Sequence, residues 1–154
     1  MLEDVKKMIR EHEGTRFKPY KDLLGLWTVG VGHLIGDGKT LPSEMNRTFS
    51  EAEVQQMFDK DFNESAAEAS KIPGYGKMNE TGKAALIDLT FNMGKSWYKD
   101  WPKLMTSFEN KDYNKAADNL EGSKWYKQVK GRGKTIVSMI RNAGSNNIKK
   151  VIDV

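Results

Sequence analysis

The chain has 154 residues, enough for one well-filled domain or for two small lobes that share a core. Its 38% hydrophobic and 30% charged residues are ordinary for a globular protein, and no apolar run is long enough to span a membrane. The net charge of +4 and the pI near 9.1 favour an anionic partner, and nucleic acid, acidic lipid and a carboxylate-rich polymer such as a cell wall all qualify.

From the sequence we expect no cofactor, no disulfide and no export signal. Cysteine is absent, which fits a protein made in a reducing compartment and equally one that works elsewhere without disulfides. The N-terminus MLEDVKKMIREHEG carries charges through its middle, so we do not interpret it as a secretory signal. No Cys/His or multi-carboxylate cluster and no phosphate-binding glycine loop stands out, so we expect neither a metal nor an organic cofactor.

The first predicted elements are a helix and a hairpin. Apolar residues at helical spacing predict a helix over residues 2–12, with Gly14 just past its end. From Arg16 to Val31 apolar and polar residues alternate, which predicts two short strands joined by a turn around Leu23–Leu26. Residues 36–49 are predicted to be loop and broken helix.

The remainder of the chain is predicted to be helical. Ser50 and Glu53 have the spacing of a capping box and open a long helix that ends before Pro73. The segment Ala84–Met93 is apolar on several faces, which predicts a buried central helix. Further helices are predicted to begin near Asp100–Pro102, at Asp112, at Ser123 and at Arg132, the last ending near Arg141.

These elements predict an α+β fold with one small antiparallel sheet near the N-terminus and five to seven helices. We expect a single domain, 1–154, with a sheet lobe of about 15–58, a helical lobe of about 1–14 and 70–154, and an interlobe helix of about 51–70. The first helix joins the helical lobe in this prediction because the small sheet offers little core to cover its apolar stripe. A ligand cleft is expected between two such lobes.

Two carboxylates and a hydroxyl flank the predicted hairpin. Glu13 ends the first helix, Asp22 lies where the hairpin turns, and Thr28 follows in the next strand. Isolated acidic residues are usually solvated surface charges. Hydrolysis of a glycosidic bond, however, requires one carboxylic acid to protonate the leaving oxygen and one carboxylate to handle water or the sugar cation. The three residues are therefore candidates for this chemistry.

The ordered set of Glu13, Asp22 and Thr28 within WTVGVGHLIG resembles the catalytic segment of the phage-type lysozymes, the muramidases of the T-even bacteriophages and their relatives. The resemblance continues in FSEAEVQQMFDKDF, AALIDLTFNMG and AADNLEGSKWYKQVKGR, and it covers residues 1–144. It implies a phage-lysozyme-like fold, in which a small sheet lobe and a larger helical lobe are joined by a long helix and an active-site cleft lies between the lobes.

The resemblance also implies catalytic roles. Glu13 would be the general acid, and Asp22 and Thr28 would hold the attacking water, which implies inversion at the anomeric carbon. Arg132 matches an arginine that approaches the catalytic glutamate, and we interpret its role as positioning. His33 and Asp61 match a structural salt bridge between the sheet lobe and the long helix, which would raise the pKa of the histidine.

Sugar binding and its local support are implied by further matches. Leu34, Phe91 and Asn119 would line the cleft and bind the substrate. The sequence departs from the better-known relatives at three positions. Leu104 replaces a serine of the cleft, and His12 and Thr135 replace an acidic and a basic residue that pair beside the catalytic glutamate.

The resemblance implies a glycoside hydrolase: an endolysin-type muramidase that cleaves the β-1,4 bond between N-acetylmuramic acid and N-acetylglucosamine in peptidoglycan during phage lysis of the host. We expect a bacteriolytic monomer that stays in the host cytoplasm after synthesis and acts on the periplasmic wall once released. We expect it neither to bind nucleic acid nor to insert stably into membranes.

Three alternatives stay open. One is a tail-associated, wall-piercing lysozyme domain, and another is a catalytically silent lysozyme-fold module that binds the cell wall. A nucleic-acid binder is the third, supported only by the positive charge.

Overall fold

The structure, a computed structural model, describes residues 2–144. Within this range the chain forms seven α-helices and a small antiparallel sheet, so the predicted α+β fold is confirmed. The elements in chain order are α1 Leu2–Glu13, β1 Arg16–Lys21, β2 Trp27–Gly30, β3 His33–Leu34, α2 Glu51–Ala69, α3 Glu80–Met93, α4 Pro102–Glu109, α5 Tyr113–Glu121, α6 Lys124–Val129 and α7 Gly131–Arg141. Over the same residues, no helix combines the length and the apolar character needed to cross a membrane.

The sheet has the strand order β1-β2-β3, and both neighbouring pairs are antiparallel. Thr28 on the central strand lies opposite Tyr20 of β1 and opposite Leu34 of β3. The sequence predicts two strands, whereas the structure has a third that is only two residues long. The predicted second strand also ends early, because Gly30 and Gly32 have φ of +68° and +65° and turn the chain back on itself.

The described residues form two compact units. We call Lys6–Glu64 the sheet unit, and we call the residues before Lys6 and after Glu64 the helical unit. Most of α1 belongs to the sheet unit, where Lys6 bonds Asp59 at 3.5 Å and Arg10 bonds Gln55 at 2.6 Å, both on α2. The expected lobes differ from this division chiefly in the placement of α1.

The sheet unit is held together by packing of β2 on α2. A side chain built at Gly30 would meet Val54 of α2 at 3.4 Å, so the strand and the helix approach closely at this point. The predicted capping box at the start of α2 is confirmed: the Glu53 N–H donates to Ser50 Oγ at 3.1 Å, and the Ser50 N–H donates to Glu53 Oε1 at 3.0 Å. Buried apolar side chains of this unit include Ile9, Val29, Val31, Phe58 and Phe62.

The helical unit is organised around α3, which is buried along most of its length as predicted. The helix starts at Glu80, four residues before the predicted Ala84, because the Asn79 side chain accepts a hydrogen bond from the Gly82 N–H at 2.9 Å and caps the first turn. The fully buried side chains of the helical unit include Leu86 and Leu89 on α3, Phe108 on α4, Leu120 on α5 and Ile136 on α7.

Candidate active site

Glu13 is the last residue of α1, and its carboxyl group lies against the glycine turn that joins β2 to β3. A Cβ built on Gly32 would lie 2.7 Å from Glu13 Oε1 and 3.2 Å from Glu13 Cδ. The carboxyl group therefore occupies space that any other residue at position 32 would fill. Sequence reasoning did not assign Gly32, although its place in the GVG stretch was a signal that a close approach is made there.

Asp22 fixes the turn of the hairpin with its own side chain. Its Oδ1 accepts hydrogen bonds from the backbone N–H groups of Leu24 at 2.8 Å and Leu26 at 2.9 Å. The backbone of Asp22 also bonds the turn, since its N–H donates to the Leu26 carbonyl and its carbonyl accepts from the Gly25 N–H, each at 2.9 Å. The carboxyl group is thus held by the turn it closes.

Thr28 is 4% exposed and is connected to Asp22 through one residue, Leu26. The Thr28 hydroxyl donates to the Leu26 carbonyl at 3.0 Å, while the Leu26 N–H donates to Asp22. Because its proton is used in this bond, the Thr28 oxygen is left as an acceptor for another donor such as water. The Asp22 carboxyl and the Thr28 hydroxyl therefore both form hydrogen bonds with the backbone of Leu26.

Tyr20 lies beside Thr28 on the sheet, and its pKa responds to the charges of both Glu13 and Asp22. It lies directly opposite Thr28, so the two side chains share a face of the sheet. Its pKa is raised, first by burial and then by the charge of Glu13, with a smaller contribution from Asp22, while the guanidinium of Arg16 opposes the change. Both carboxylates are therefore within electrostatic range of one phenol. Sequence reasoning missed Tyr20, because its register against Thr28 depends on a turn of residues 22–26, and the predicted turn around Leu23–Leu26 did not fix that register.

The predicted ion pair of His33 and Asp61 is present, with 2.7 Å between Nδ1 and Oδ2. It joins β3 to α2 within the sheet unit. The hydrogen bond to Asp61 raises the pKa of His33, and partial burial of the imidazole works in the opposite direction. Stabilisation of the fold is the role that this geometry supports.

The residues predicted to bind sugar are divided between the two units. Leu34 is in the sheet unit and is 43% exposed, while Phe91 on α3 and Asn119 on α5 are in the helical unit. Leu104, which replaces a serine of the relatives, is 1% exposed and packs in the core. Thr135 donates a hydrogen bond to the Gly131 carbonyl of its own helix at 3.3 Å.

Arg132 forms a buried ion pair that sequence reasoning missed. Its Nε donates to Asp88 Oδ1 at 2.9 Å, and the two side chains are 9% and 0% exposed. The signal was a lone aspartate within the apolar segment AALIDLTF, since a buried charge requires a partner. The pair joins α3 to α7, and the predicted approach of Arg132 to Glu13 stays a prediction.

Two buried tryptophans of the helical unit serve as core residues. The Trp97 indole N–H donates to Thr90 at 3.0 Å, and the Trp125 indole N–H donates to Asn92 at 2.8 Å. Their exposed fractions are below a tenth, so neither offers a face for stacking on a sugar. Among residues 2–144, no three metal-binding side chains are arranged to hold an ion.

Comparison with known proteins identifies the family. The family model described as Phage lysozyme matches residues 10–146. The chain belongs to the phage lysozyme family. The predicted resemblance is thus confirmed, and membership makes the chain a glycoside hydrolase of the lysozyme class, for which peptidoglycan is the substrate.

Individual phage lysozyme relatives differ in how much of their length the chain covers. The chain is 28% identical to "Probable T4-type lysozyme 2" of Dictyostelium discoideum, over 90% of this chain and 94% of that protein. It is 33% identical to the "SAR-endolysin" of Enterobacteria phage P21, over 70% of this chain and 61% of that protein. It is also 27% identical to the "Pre-baseplate central spike protein Gp5" of Enterobacteria phage T4, over 87% of this chain but only 27% of that protein.

Proposed function

We propose that this phage lysozyme is an endolysin-type muramidase that cleaves the β-1,4 bond between N-acetylmuramic acid and N-acetylglucosamine with inversion. In this proposal Glu13 is the general acid, and Asp22 and Thr28 hold the attacking water. The observation that carries it is the pair of hydrogen bonds at Leu26, which fixes the Asp22 carboxyl and the Thr28 hydroxyl on one hairpin.

The hydrogen bonds of the hairpin favour one orientation of the water. The Thr28 proton is donated to Leu26, so the water donates one proton to Thr28 Oγ1 and the other to the Asp22 carboxylate. Its lone pair then attacks the anomeric carbon, Asp22 accepts a proton as the new C–O bond forms, and Glu13 protonates the leaving oxygen as the old bond breaks. Inversion by this route needs carboxyl groups about 6.5–9.5 Å apart, which leaves room for the water.

The remaining assignments belong to the same proposal. Leu34, Phe91 and Asn119 bind the glycan, and Arg132 positions the catalytic glutamate. Host lysis as the biological role is supported by the relatives named endolysin, and a tail-associated domain is the second candidate, supported by the similarity to the central spike protein.

Substitution of the two carboxylates tests the assignment of Glu13 and Asp22. Glu13→Gln and Asp22→Asn should each slow clearing of permeabilised Gram-negative cells by about 100-fold or more, the usual contribution of a general acid or base. Glu11→Gln is the matched control for the first, because Glu11 is an exposed residue of the same helix. Asp37→Asn is the control for the second, because Asp37 also accepts a backbone N–H two residues on, at 2.9 Å.

The outcomes separate the candidate functions. Clearing by native protein that both carboxylate substitutions abolish, with folding unchanged by circular dichroism, supports the muramidase. Equal clearing by native protein and Glu13→Gln would contradict the role of Glu13, and no clearing by any form would favour a silent wall-binding module. The configuration of the first product, followed by NMR, tests inversion, for which the α-anomer is expected.

A further inference from the structure

The tip of the β1–β2 hairpin presents two leucines to solvent. Leu23 is 100% exposed and Leu24 is 81% exposed, the two highest values among the large apolar residues described. Single exposed apolar side chains are common on proteins, but adjacent ones at a protruding turn offer a contiguous apolar surface. We call Leu23 and Leu24 the leucine tip.

The turn that carries the leucine tip is held in place by hydrogen bonds. The Leu24 N–H donates to Asp22 Oδ1 at 2.8 Å, and the Gly25 N–H donates to the Asp22 carbonyl at 2.9 Å. Gly25 completes the turn with φ of +78°, a conformation that glycine adopts without strain. These bonds fix the backbone of the turn that carries the leucines, and both side chains are exposed in this conformation.

Cations accompany the leucine tip along β1. Arg16, Lys18 and Lys21 are all exposed, and Lys21 Nζ lies 5.3 Å from the centre of the Trp27 ring. Two carboxylates belong to the same region: Asp22, whose Oδ1 accepts the N–H groups of the turn, and Asp37, whose Oδ1 accepts the Lys39 N–H. The formal balance of the hairpin strand and its turn, residues 16–26, is positive.

We propose that the leucine tip binds the surface of an anionic phospholipid membrane. The leucines enter the apolar boundary of the bilayer, and the cations of β1 attract the phosphate groups of the lipids. A hydrated glycan or peptide supplies anionic groups but no apolar phase, whereas an anionic bilayer supplies both. With two leucines and a few cations, the binding is peripheral and reversible, and it does not depend on the muramidase assignment.

Co-sedimentation with vesicles tests this proposal. The full chain should bind vesicles that contain phosphatidylglycerol and should not bind vesicles of phosphatidylcholine alone. Replacing both leucines, Leu23→Ser with Leu24→Ser, should lower the partition coefficient by about tenfold or more. The matched control is Leu2→Ser, which removes another exposed leucine outside the hairpin, 50% exposed, and should leave binding unchanged.

A second pair of measurements tests how charge contributes to vesicle binding and whether the leucine tip affects hydrolysis of the wall. Lys21→Glu should weaken vesicle binding by about fivefold, and added salt should weaken it further. The double leucine variant should hydrolyse purified peptidoglycan within about twofold of the native rate, because neither leucine is assigned to the chemistry.

Two results would overturn the proposal. One is the absence of binding to the anionic vesicles, and the other is equal binding by the native chain and the double leucine variant. Binding to purified wall that requires the leucines, without vesicle binding, would also overturn it and would assign the tip to the wall instead. Because hydrolysis of purified wall is measured in parallel, failure of this proposal is distinguishable from failure of the muramidase assignment.

Discussion

Gly32 is needed for two separate reasons, its positive φ and the closeness of the Glu13 carboxyl group. Its φ of +65° costs a residue with a side chain about 1 kcal/mol, and a Cβ would lie 2.7 Å from the Glu13 carboxyl oxygen. Gly36 has a similar φ of +58° with no heavy atom within 4 Å of its Cβ position, so it carries only the first requirement. The two glycines therefore separate backbone strain from displacement of Glu13.

We predict that Gly32→Ala and Gly36→Ala each lower the free energy of unfolding by about 1 kcal/mol. Only Gly32→Ala should also reduce peptidoglycan hydrolysis, by about tenfold or more, because a general acid that shifts by a fraction of an ångström loses its alignment with the leaving oxygen. Urea denaturation and initial hydrolysis rates measure the two effects. Equal activity of the two variants would show that the contact with Glu13 is unimportant.

At the scale of elements, the His33–Asp61 pair joins the short strand β3 to the long helix α2. The pKa of His33 is raised in the folded protein above its ordinary value of 6.5. The folded state therefore binds the proton more tightly than the unfolded state does. The resulting stability is fully present below pH 6.5 and is lost as the pH rises through the folded pKa.

We predict that Asp61→Asn lowers the free energy of unfolding at pH 6 and has a much smaller effect at pH 9. Hydrolysis by the folded variant should remain close to native, since the pair connects two elements and is given no part in the chemistry. Denaturation at the two pH values and a rate assay at low temperature measure this. A large loss of hydrolysis rate in a variant that stays folded would assign the pair to catalysis. A loss of stability that does not depend on pH would show that the charge of His33 is not its cause.

At the scale of the whole molecule, the net charge of +4 acts on a polymer rich in carboxylates. Raising the ionic strength from about 0.01 M to about 0.15 M shortens the range of the attraction from about 30 Å to about 8 Å. We predict that hydrolysis of purified wall slows over this range, whereas hydrolysis of a short wall fragment whose carboxyl groups are amidated changes little. Equal salt dependence on the two substrates would indicate that salt acts on the enzyme itself.

Prediction from the sequence succeeded where the signal is local. The capping box of Ser50 and Glu53, the buried helix α3 and the hairpin turn around Leu23–Leu26 each depend on neighbours within a few positions. The strand β3 has only two residues, too few for any alternation of polar and apolar side chains, and was missed.

Long-range partners were harder to predict without a family to compare. The bond between Asp88 and Arg132 spans 44 positions, and the electrostatic link of Tyr20 to Glu13 depends on how α1 meets the sheet. His33 and Asp61 were paired from the resemblance, since nothing in their own segments indicates a contact 28 positions apart. The roles of Glu13, Asp22 and Thr28 stay predictions until the substitutions are measured.

The turn that Asp22 closes has a consequence for protein engineering. One oxygen of this carboxylate accepts hydrogen bonds from two backbone N–H groups of the loop. The length of the loop and the orientation of the carboxylate therefore cannot be changed independently. Inserting or deleting a residue among positions 23–26 would re-aim the carboxylate even if the chosen residues suit a turn. A library that varies side chains here at constant length should yield active clones, whereas one that varies length should yield folded but inert ones.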